Sequence, residues 1–348
     1  MKKIIVAILL CAAITSCEWG RGSGSGQGTS AQGNSGGGKK NPPAAKTESA
    51  IHPFPVAVVP SVFGTDTEEA RQYLLEHYWD AFLKGEGRTD PATILGVRGE
   101  EVEQALSNYI QLLYELKMQS TPEDMSPLKK AQGSVRHFFV EIEARQQSDT
   151  ASHVYPRMTE LVTLYLYDPN SPMRDEDLYL PFAEAMAVSP CTRDDMRAAA
   201  RYEARMCLTN SFGSKAPNFQ FSDIKGHKSN LYSVNADLVM LFFSNPGCES
   251  CKQIISDVMS RQYIPGLIKD GKLAIINIYI DEEVAKWREY SHNYPSDWIN
   301  GYDYTFTLRD SGLYDIRAIP SLYLLDASKR VVMKDAPTEK VLSYLDNL

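Results

Sequence analysis

Apolar residues recur at helical spacing through much of the first two thirds of the chain. A repeat near 3.6 residues is the pattern of a helix that buries one face. Segments with this spacing are 65–83, 102–113, 127–145, 156–167, 178–188 and 193–208. The sequence therefore predicts an all-α domain over residues 51–212.

After Asn210 the pattern changes to short, continuous apolar runs that alternate with helix-like segments. The strand-like runs are 217–222, 237–243, 273–280, 320–325 and 329–334, and the helix-like segments are 249–261, 282–292 and 337–347. Continuous apolar strands indicate a sheet that is covered on both faces, with parallel pairs joined by crossovers. We expect an α/β domain over residues 213–348, closed by a hairpin around Ala327 and Ser328.

The chain begins with MKKIIVAILLCAAITSC, a basic start followed by a short apolar core. This core is too short to span a bilayer comfortably and is typical of an export signal, predicted over residues 1–16. The run Ile14–Cys17 resembles a bacterial lipobox, in which the cysteine is lipidated after cleavage; an ordinary signal peptide with an incidental cysteine is the alternative. Residues 17–50 are rich in Gly, Ser and Gln, which predicts a disordered tether.

Charge and export signal together restrict the environment of the protein. The formal net charge is −8 and no basic stripe is present, which argues against a nucleic-acid partner. A lipid on Cys17 would make the membrane a partner and place the protein in the cell envelope, extracytoplasmic, facing the periplasm or on the outer membrane. Dithiols and disulfides both persist in such a compartment.

The segment NPGCESCK contains two cysteines, Cys248 and Cys251, between apolar runs. Pro246 and Gly247 predict a turn into a helix, so that Cys248 lies at the helix N-terminus and Cys251 one turn inside. Unpaired N–H groups and the helix dipole favour a thiolate at Cys248, while Cys251 shares the apolar face of the helix. An exposed sulfur that attacks and a buried one that resolves suit dithiol exchange.

These motifs carry a family resemblance. The strand LVMLFF, the turn SNPGCESCK, the helix after it and the later YDIRAIPSLYLLD resemble the thioredoxin superfamily, and within it the TlpA/ResA type of thiol–disulfide oxidoreductase. The resemblance covers about residues 213–348. The preceding part, with EHYWDAF and YLYDPNSP, resembles a helical domain of uncharacterised function found before such modules in certain bacterial lipoproteins.

The resemblance implies thiol–disulfide exchange with proteins or small thiols, supplied with electrons by an unidentified redox partner and without an organic cofactor. It implies that Cys248 attacks and that Cys251 resolves. Pro320 matches the cis-proline loop that faces the dithiol in these folds, and the backbone of Ile319 would pair with an extended substrate. Ile319 and Pro320 are therefore candidate substrate-binding residues; a trans proline that opens the next strand is the alternative.

Two positions depart from the family pattern. Many relatives carry a carboxylate six residues before the first cysteine or three after the second; this chain has Phe242 and Ile254 there. Glu249, between the cysteines, disfavours a neighbouring thiolate, so we expect a site less oxidising than one with a neutral or basic dipeptide.

Other functions stay open on the sequence alone. Structural zinc prefers four ligands in two clusters, whereas Cys191 and Cys207 form no second pair and the histidines are scattered, so no metal site is assigned. Cu(I) favours thiolates, which leaves a copper-binding lipoprotein as an alternative. A second alternative is a ligand-binding lipoprotein whose thioredoxin-like domain is structural. Tyr78, Trp79 and Phe82 could line a ligand groove, but their helical spacing favours core packing.

Overall fold

The computed structural model describes residues 51–64 and 67–347. Cys17, the predicted signal peptide and the predicted tether lie outside the described residues. The predicted fold class is confirmed, because a helical N-terminal region is followed by a mixed α/β sheet region. The change from helices to strands falls between Leu208 and Gln220, and the described residues of both regions belong to one compact unit.

The helical region contains the predicted amphipathic segments and a small hairpin. Its helices are α1 (Glu68–His77), α2 (Asp80–Leu83), α3 (Gly99–Lys117), α4 (Ser126–Ser148), α5 (Val154–Leu166), α6 (Glu176–Met186) and α7 (Asp194–Leu208), with strands β1 (Thr93–Ile94) and β2 (Val97–Arg98) between α2 and α3. Thr67 caps α1 by accepting a hydrogen bond from the Ala70 N–H. Among helices in the described part of the chain, none is long and apolar enough to cross a bilayer.

Aromatic side chains form the centre of the helical region. The predicted helix over 65–83 is interrupted between α1 and α2, where Trp79 turns into the core and is only 3% exposed. Its ring stacks on Phe138 with 4.5 Å between centroids, and Phe82 is buried beside it. The prediction of core packing is confirmed for Trp79 and Phe82, whereas Tyr78 is half-buried and packs against the same cluster. Packing of the indole ring outweighs the local preference for one continuous helix.

The sheet region holds a seven-stranded mixed sheet in the order β4-β3-β7-β6-β5-β8-β9. Its strands are β3 (Gln220–Ser222), β4 (Lys228–Asn230), β5 (Leu238–Phe243), β6 (Leu273–Tyr279), β7 (Ile299–Tyr302), β8 (Ser321–Asp326) and β9 (Val331–Met333). Its helices are α8 (Glu249–Met259), α9 (Ile264–Lys269), α10 (Val284–Tyr290), α11 (Thr307–Asp310) and α12 (Thr338–Leu345). Every predicted strand is present, whereas β4, β7, α9 and α11 were not predicted.

Strand β5 occupies an interior position and is buried along its whole length. It runs parallel to β6 and antiparallel to β8. Met240 and Phe242 belong to one hydrophobic cluster, which continues into the helical region, and Val239 and Leu241 belong to a second cluster. The sheet is therefore covered on both faces, as its continuous apolar runs predicted.

The two borders of the sheet differ. The outer side of β9 is covered by residues 213–216: the Gly213 N–H donates to the Val331 carbonyl at 2.7 Å, and the Val331 N–H donates to the Ser214 carbonyl at 2.9 Å. At the opposite border, β4 is three residues long and begins with Lys228. The predicted hairpin around Ala327 and Ser328 joins β8 to β9 and is confirmed.

Lys340 on α12 joins the sheet region to the helical region. Its ammonium group donates to the carbonyl oxygens of Met173 and Arg174 at 3.1 and 3.0 Å, and lies 4.5 Å from the centroid of the Tyr114 ring. Burial lowers the pKa of Lys340 to about 8, although Asp175 nearby acts in the opposite direction. The charged lysine is therefore held at a cost in the folded protein.

We predict that the free energy of unfolding of the wild type rises relative to that of Lys340→Met between about pH 8 and pH 10.5. Between these pH values Lys340 is protonated in the unfolded chain and largely deprotonated in the folded protein. A rise in pH therefore increases the contribution of Lys340 to the free energy of unfolding. Below the folded pKa both states bind the proton and the difference is constant. Urea titrations at several pH values measure it, with Lys130→Met, at an exposed lysine, as the control for removal of one charge. A difference that does not change with pH contradicts the prediction.

Candidate functional site

The register of β5 and β8 brings two loops to the same edge of the sheet. Phe243, the last residue of β5, pairs with Ser321, the first residue of β8. The chain that follows Phe243 turns towards Cys248, and the chain that precedes Ser321 contains Ile319 and Pro320. The predicted site residues of the sheet region thus leave the sheet side by side.

Cys248 caps the N-terminus of α8. Gly247 has a φ of +75°, a conformation that favours glycine, and it turns the chain out of the strand direction and into the helix. The Cys248 Sγ accepts a hydrogen bond from the Cys251 N–H at 3.1 Å. The two sulfurs form a disulfide with their Cα atoms 5.2 Å apart, within the range that such a bond requires.

The two cysteines differ in their access to solvent, as predicted. Cys248 is half-buried, whereas Cys251 is 2% exposed. Cys251 belongs to the hydrophobic cluster that contains Phe242, Val258 and Trp298. An attacking thiol must reach its partner and a resolving thiol need not, so this asymmetry fits the predicted order of exchange.

The Ile319–Pro320 peptide bond is cis, which confirms the predicted conformation. Both residues are half-buried, and Ile319 packs against each of the two hydrophobic clusters. A proline at this position has no N–H, so the backbone of Ile319 is the polar group next to the dithiol that an extended chain could use. Substrate binding by these two residues stays a prediction.

Neutral polar groups lie behind the cysteine turn. Phe242 and Ile254 stand where many relatives have a carboxylate. Phe242 is fully buried, and Ile254 packs against the same cluster as Cys251. The Ser244 hydroxyl instead donates to Asn277 Oδ1 at 2.5 Å, and Asn277 Nδ2 donates to Asn300 Oδ1 at 3.0 Å. These residues were not recognised in the sequence, because Ser244 follows β5 while Asn277 and Asn300 lie within β6 and β7, so they share no local spacing.

Glu249, between the two cysteines, forms an ion pair with Lys252. Its carboxylate is 89% exposed and accepts a hydrogen bond from Lys252 at 3.0 Å. This hydrogen bond raises the pKa of Lys252 and keeps a positive charge within the same turn of α8. The lysine offsets part of the effect of Glu249 on a neighbouring thiolate, and the predicted lower oxidising power stays a prediction.

A groove of about 470 Å³ lies beside the cysteine turn and was not predicted from the sequence. Asn245 and Pro246 form one wall, and the acidic run 281–283 after β6 forms another. Asn245 Nδ2 donates to Asp281 Oδ2 at 3.0 Å, which fixes the turn to this wall. The signal for the groove was the position of three acids directly after a buried parallel strand, where such strands commonly place binding residues.

The remaining cysteines of the described residues are free thiols. Cys207 is buried, and this burial raises its pKa above the usual range; Cys191 is half-buried. The prediction that these two are not bonded to each other is confirmed. Within residues 51–64 and 67–347, no group of three or more His, Cys, Asp or Glu side chains is arranged to hold a metal ion.

The fold and the cysteine pair define a thioredoxin-like domain preceded by a helical region. Residues 31–210 match the model of a protein family described as a domain of unknown function (DUF5106), and the chain belongs to this family. A crystal structure of a thioredoxin-like protein from Bacteroides caccae is 35% identical, covers 86% of this chain and 99% of its own, and superposes with a TM-score of 0.68.

Other solved structures cover about two fifths of this chain. The C-terminal domain of an uncharacterised protein from Bacteroides fragilis is 40% identical over 40% of this chain and 99% of its own, with a TM-score of 0.39. The thioredoxin domain of a thiol-disulfide oxidoreductase from Bacteroides vulgatus is 22% identical over 38% of this chain and 97% of its own, with a TM-score of 0.33. A search of curated proteins finds no match.

We predict that in the reduced protein Cys248 is alkylated at least about tenfold faster than Cys251. Cys248 is more accessible and its sulfur lies at the positive end of α8, whereas Cys251 is enclosed by apolar side chains. Iodoacetamide modification at neutral pH, followed by peptide mass spectrometry, measures both rates in one sample. The buried Cys207 provides an internal control for unfolding, and equal rates at Cys248 and Cys251 would contradict the assignment.

Proposed function

We propose that the protein is a thiol–disulfide oxidoreductase of the TlpA/ResA type, held in the cell envelope by a lipid on Cys17. Its substrates would be protein disulfides and thiols or small thiols outside the cytoplasm. The observation that carries this proposal is the disulfide-bonded pair Cys248–Cys251 at the N-terminus of α8, at the same edge of the sheet as the cis peptide bond before Pro320.

The proposed exchange proceeds through a mixed disulfide. The Cys248 thiolate attacks one sulfur of a substrate disulfide, forms a Cys248–substrate bond and releases the other substrate sulfur as a thiolate. The Cys251 thiolate then attacks the Cys248 sulfur, closes the internal disulfide and releases the second substrate thiolate. Two electrons pass from the dithiol to the substrate, and an external dithiol protein restores the reduced pair; oxidation of a substrate dithiol follows the same steps in reverse.

The surroundings of the dithiol support this chemistry. The sulfur of Cys248 is reachable while that of Cys251 is enclosed, so the mixed disulfide would form at the accessible position. Backbone groups of Ile319 would pair with an extended substrate and hold its sulfur near Cys248. The Bacteroides vulgatus relative is described as a thiol-disulfide oxidoreductase, which agrees with this proposal for the present chain.

We predict that Cys251→Ala accumulates mixed disulfides with its substrates in cells. Without the resolving sulfur, the Cys248–substrate bond persists and is visible as reductant-sensitive species of higher mass on non-reducing gels. The matched control is the double variant Cys248→Ser with Cys251→Ala, which has no attacking thiolate and should give none. Capture that depends on Cys248 also separates exchange from ligand or copper binding; failure to capture any partner would contradict exchange on proteins.

We predict that the full chain with Cys17→Ala loses its lipid and its membrane association. A lipobox cysteine is the only acylated position of such a precursor, so its replacement should abolish incorporation of a labelled fatty acid. Cys11→Ala, inside the apolar core of the signal, is the matched control and should keep the label. Incorporation that persists in Cys17→Ala would contradict the proposed anchor.

A further inference from the structure

Arg317 lies two residues before Ile319 and reaches into the helical region. Its side chain is 15% exposed. Its Nη1 donates to the carbonyl oxygen of Tyr167, the residue that follows α5, at 2.6 Å, and its guanidinium lies over the ring of the same tyrosine, 4.6 Å from the centroid. The chain segment just before Ile319 and Pro320 is thus bound to a residue of the helical region.

Two buried carboxylates complete the surroundings of Arg317. Its Nη2 lies 3.1 Å from Glu176 Oε1 on α6 and 3.2 Å from Asp335 Oδ2 after β9. Asp335 in turn accepts a hydrogen bond from the Ser321 hydroxyl at 2.8 Å. The residues on both sides of the Ile319–Pro320 peptide are therefore tied to one carboxylate, and through Arg317 to the helical region.

The residues ahead of Arg317 are held by the end of the helical region as well. Asn210 Nδ2 donates to the Leu313 carbonyl at 3.0 Å, and its Oδ1 accepts from the Asp315 N–H at 3.1 Å. Lys334 pairs with Asp315 at 3.0 Å and with Glu176 at 2.5 Å. The segment 313–321 is therefore bound to the helical region at three points, which are Leu313, Asp315 and Arg317.

We propose that Arg317 is a positioning residue for substrate exchange, and that the helical region holds the Ile319 backbone in register with the dithiol through it. This inference rests on the proposed function, because it concerns the residues that would bind the substrate chain. The guanidinium is suited to the role, since its fixed fork of donors bridges a carbonyl and two carboxylates at once. A neutral replacement of Arg317 removes one positively charged partner from Glu176 and from Asp335. The loop that contains Ile319 and Pro320 then loses its attachment to the helical region.

The proposal separates two classes of substrate. A peptide disulfide would need the Ile319 backbone to align its sulfur with Cys248, whereas a small disulfide without a peptide backbone needs only access to the Cys248 sulfur. A displacement of about 1 Å in a positioning group can lower a rate by about a hundredfold. Loss of Arg317 should therefore slow exchange with peptides while sparing exchange with small molecules.

The test compares Arg317→Gln with the wild type, using the purified protein in its reduced form. The second-order rate constant for reduction of a disulfide-linked peptide dimer should fall about tenfold or more, and that for 2-hydroxyethyl disulfide should stay within about twofold. The reduction potential of the cysteine pair, measured against glutathione, should not change. A general loss of structure would move all three quantities together.

Two further variants keep the test decisive. Arg145→Gln is the matched control, because Arg145 has a similar exposure of 17% and donates to the Gly85 carbonyl at 3.2 Å within the helical region; it should leave both rates unchanged. Ser321→Ala removes the hydroxyl that binds Asp335 and should reproduce the selective loss in smaller measure. If Arg317→Gln does not fold, the two rate constants of Ser321→Ala test the proposal instead.

The outcomes separate this inference from the proposed function. If the wild type reduces neither substrate, the proposed function fails. If the wild type reduces both substrates, the proposed function stands. The positioning role of Arg317 is then overturned if Arg317→Gln and Ser321→Ala change the two rate constants equally or not at all.

Discussion

The antiparallel register between β5 and β8 is the constraint on which the candidate site depends. Because Phe243 pairs with Ser321, the turn to Cys248 and the cis peptide before Pro320 emerge together. A slip of one residue would send every side chain of β8 to the opposite face. Tyr323, which is fully buried and donates its hydroxyl to the Asp315 carbonyl, would lose this hydrogen bond after such a slip. The packing that sets the register of β8 therefore also sets where the cysteine turn and the cis peptide bond leave the sheet.

Buried charge makes the helical and sheet regions depend on each other. Three consecutive acids, 175–177, lie at the start of α6, and Asp175 caps the helix. Asp175 and Asp177 both lie 2.7 Å from the ammonium of Lys117 within the helical region, while Glu176 faces Lys334 of the sheet region. Removing one member of such a set leaves an uncompensated charge in the interior, which is more destabilising than the pair is stabilising.

Local pattern was sufficient for some elements and insufficient for others. Strands β5 and β6 are continuous apolar runs because both of their faces are covered, and the cysteine pair was recognisable from its spacing alone. Strand β7 has the sequence INGY, in which Gly301 is required because a Cβ there would lie 2.8 Å from the Phe221 ring; pairing with β6, rather than propensity, makes it a strand. Ser244, Asn277 and Arg317 act through partners distant in sequence, and their residue types are common on any surface.

The covered border of β9 has a consequence for a protein that we propose to be tethered by one end. Molecules confined to a surface meet at high local concentration, where free strand edges recruit one another into aggregates. Residues 213–216 already bind the backbone N–H and carbonyl of Val331 in β9, and β4 offers only three residues that start with a lysine. Neither border of the sheet therefore offers a long free strand to a neighbouring copy.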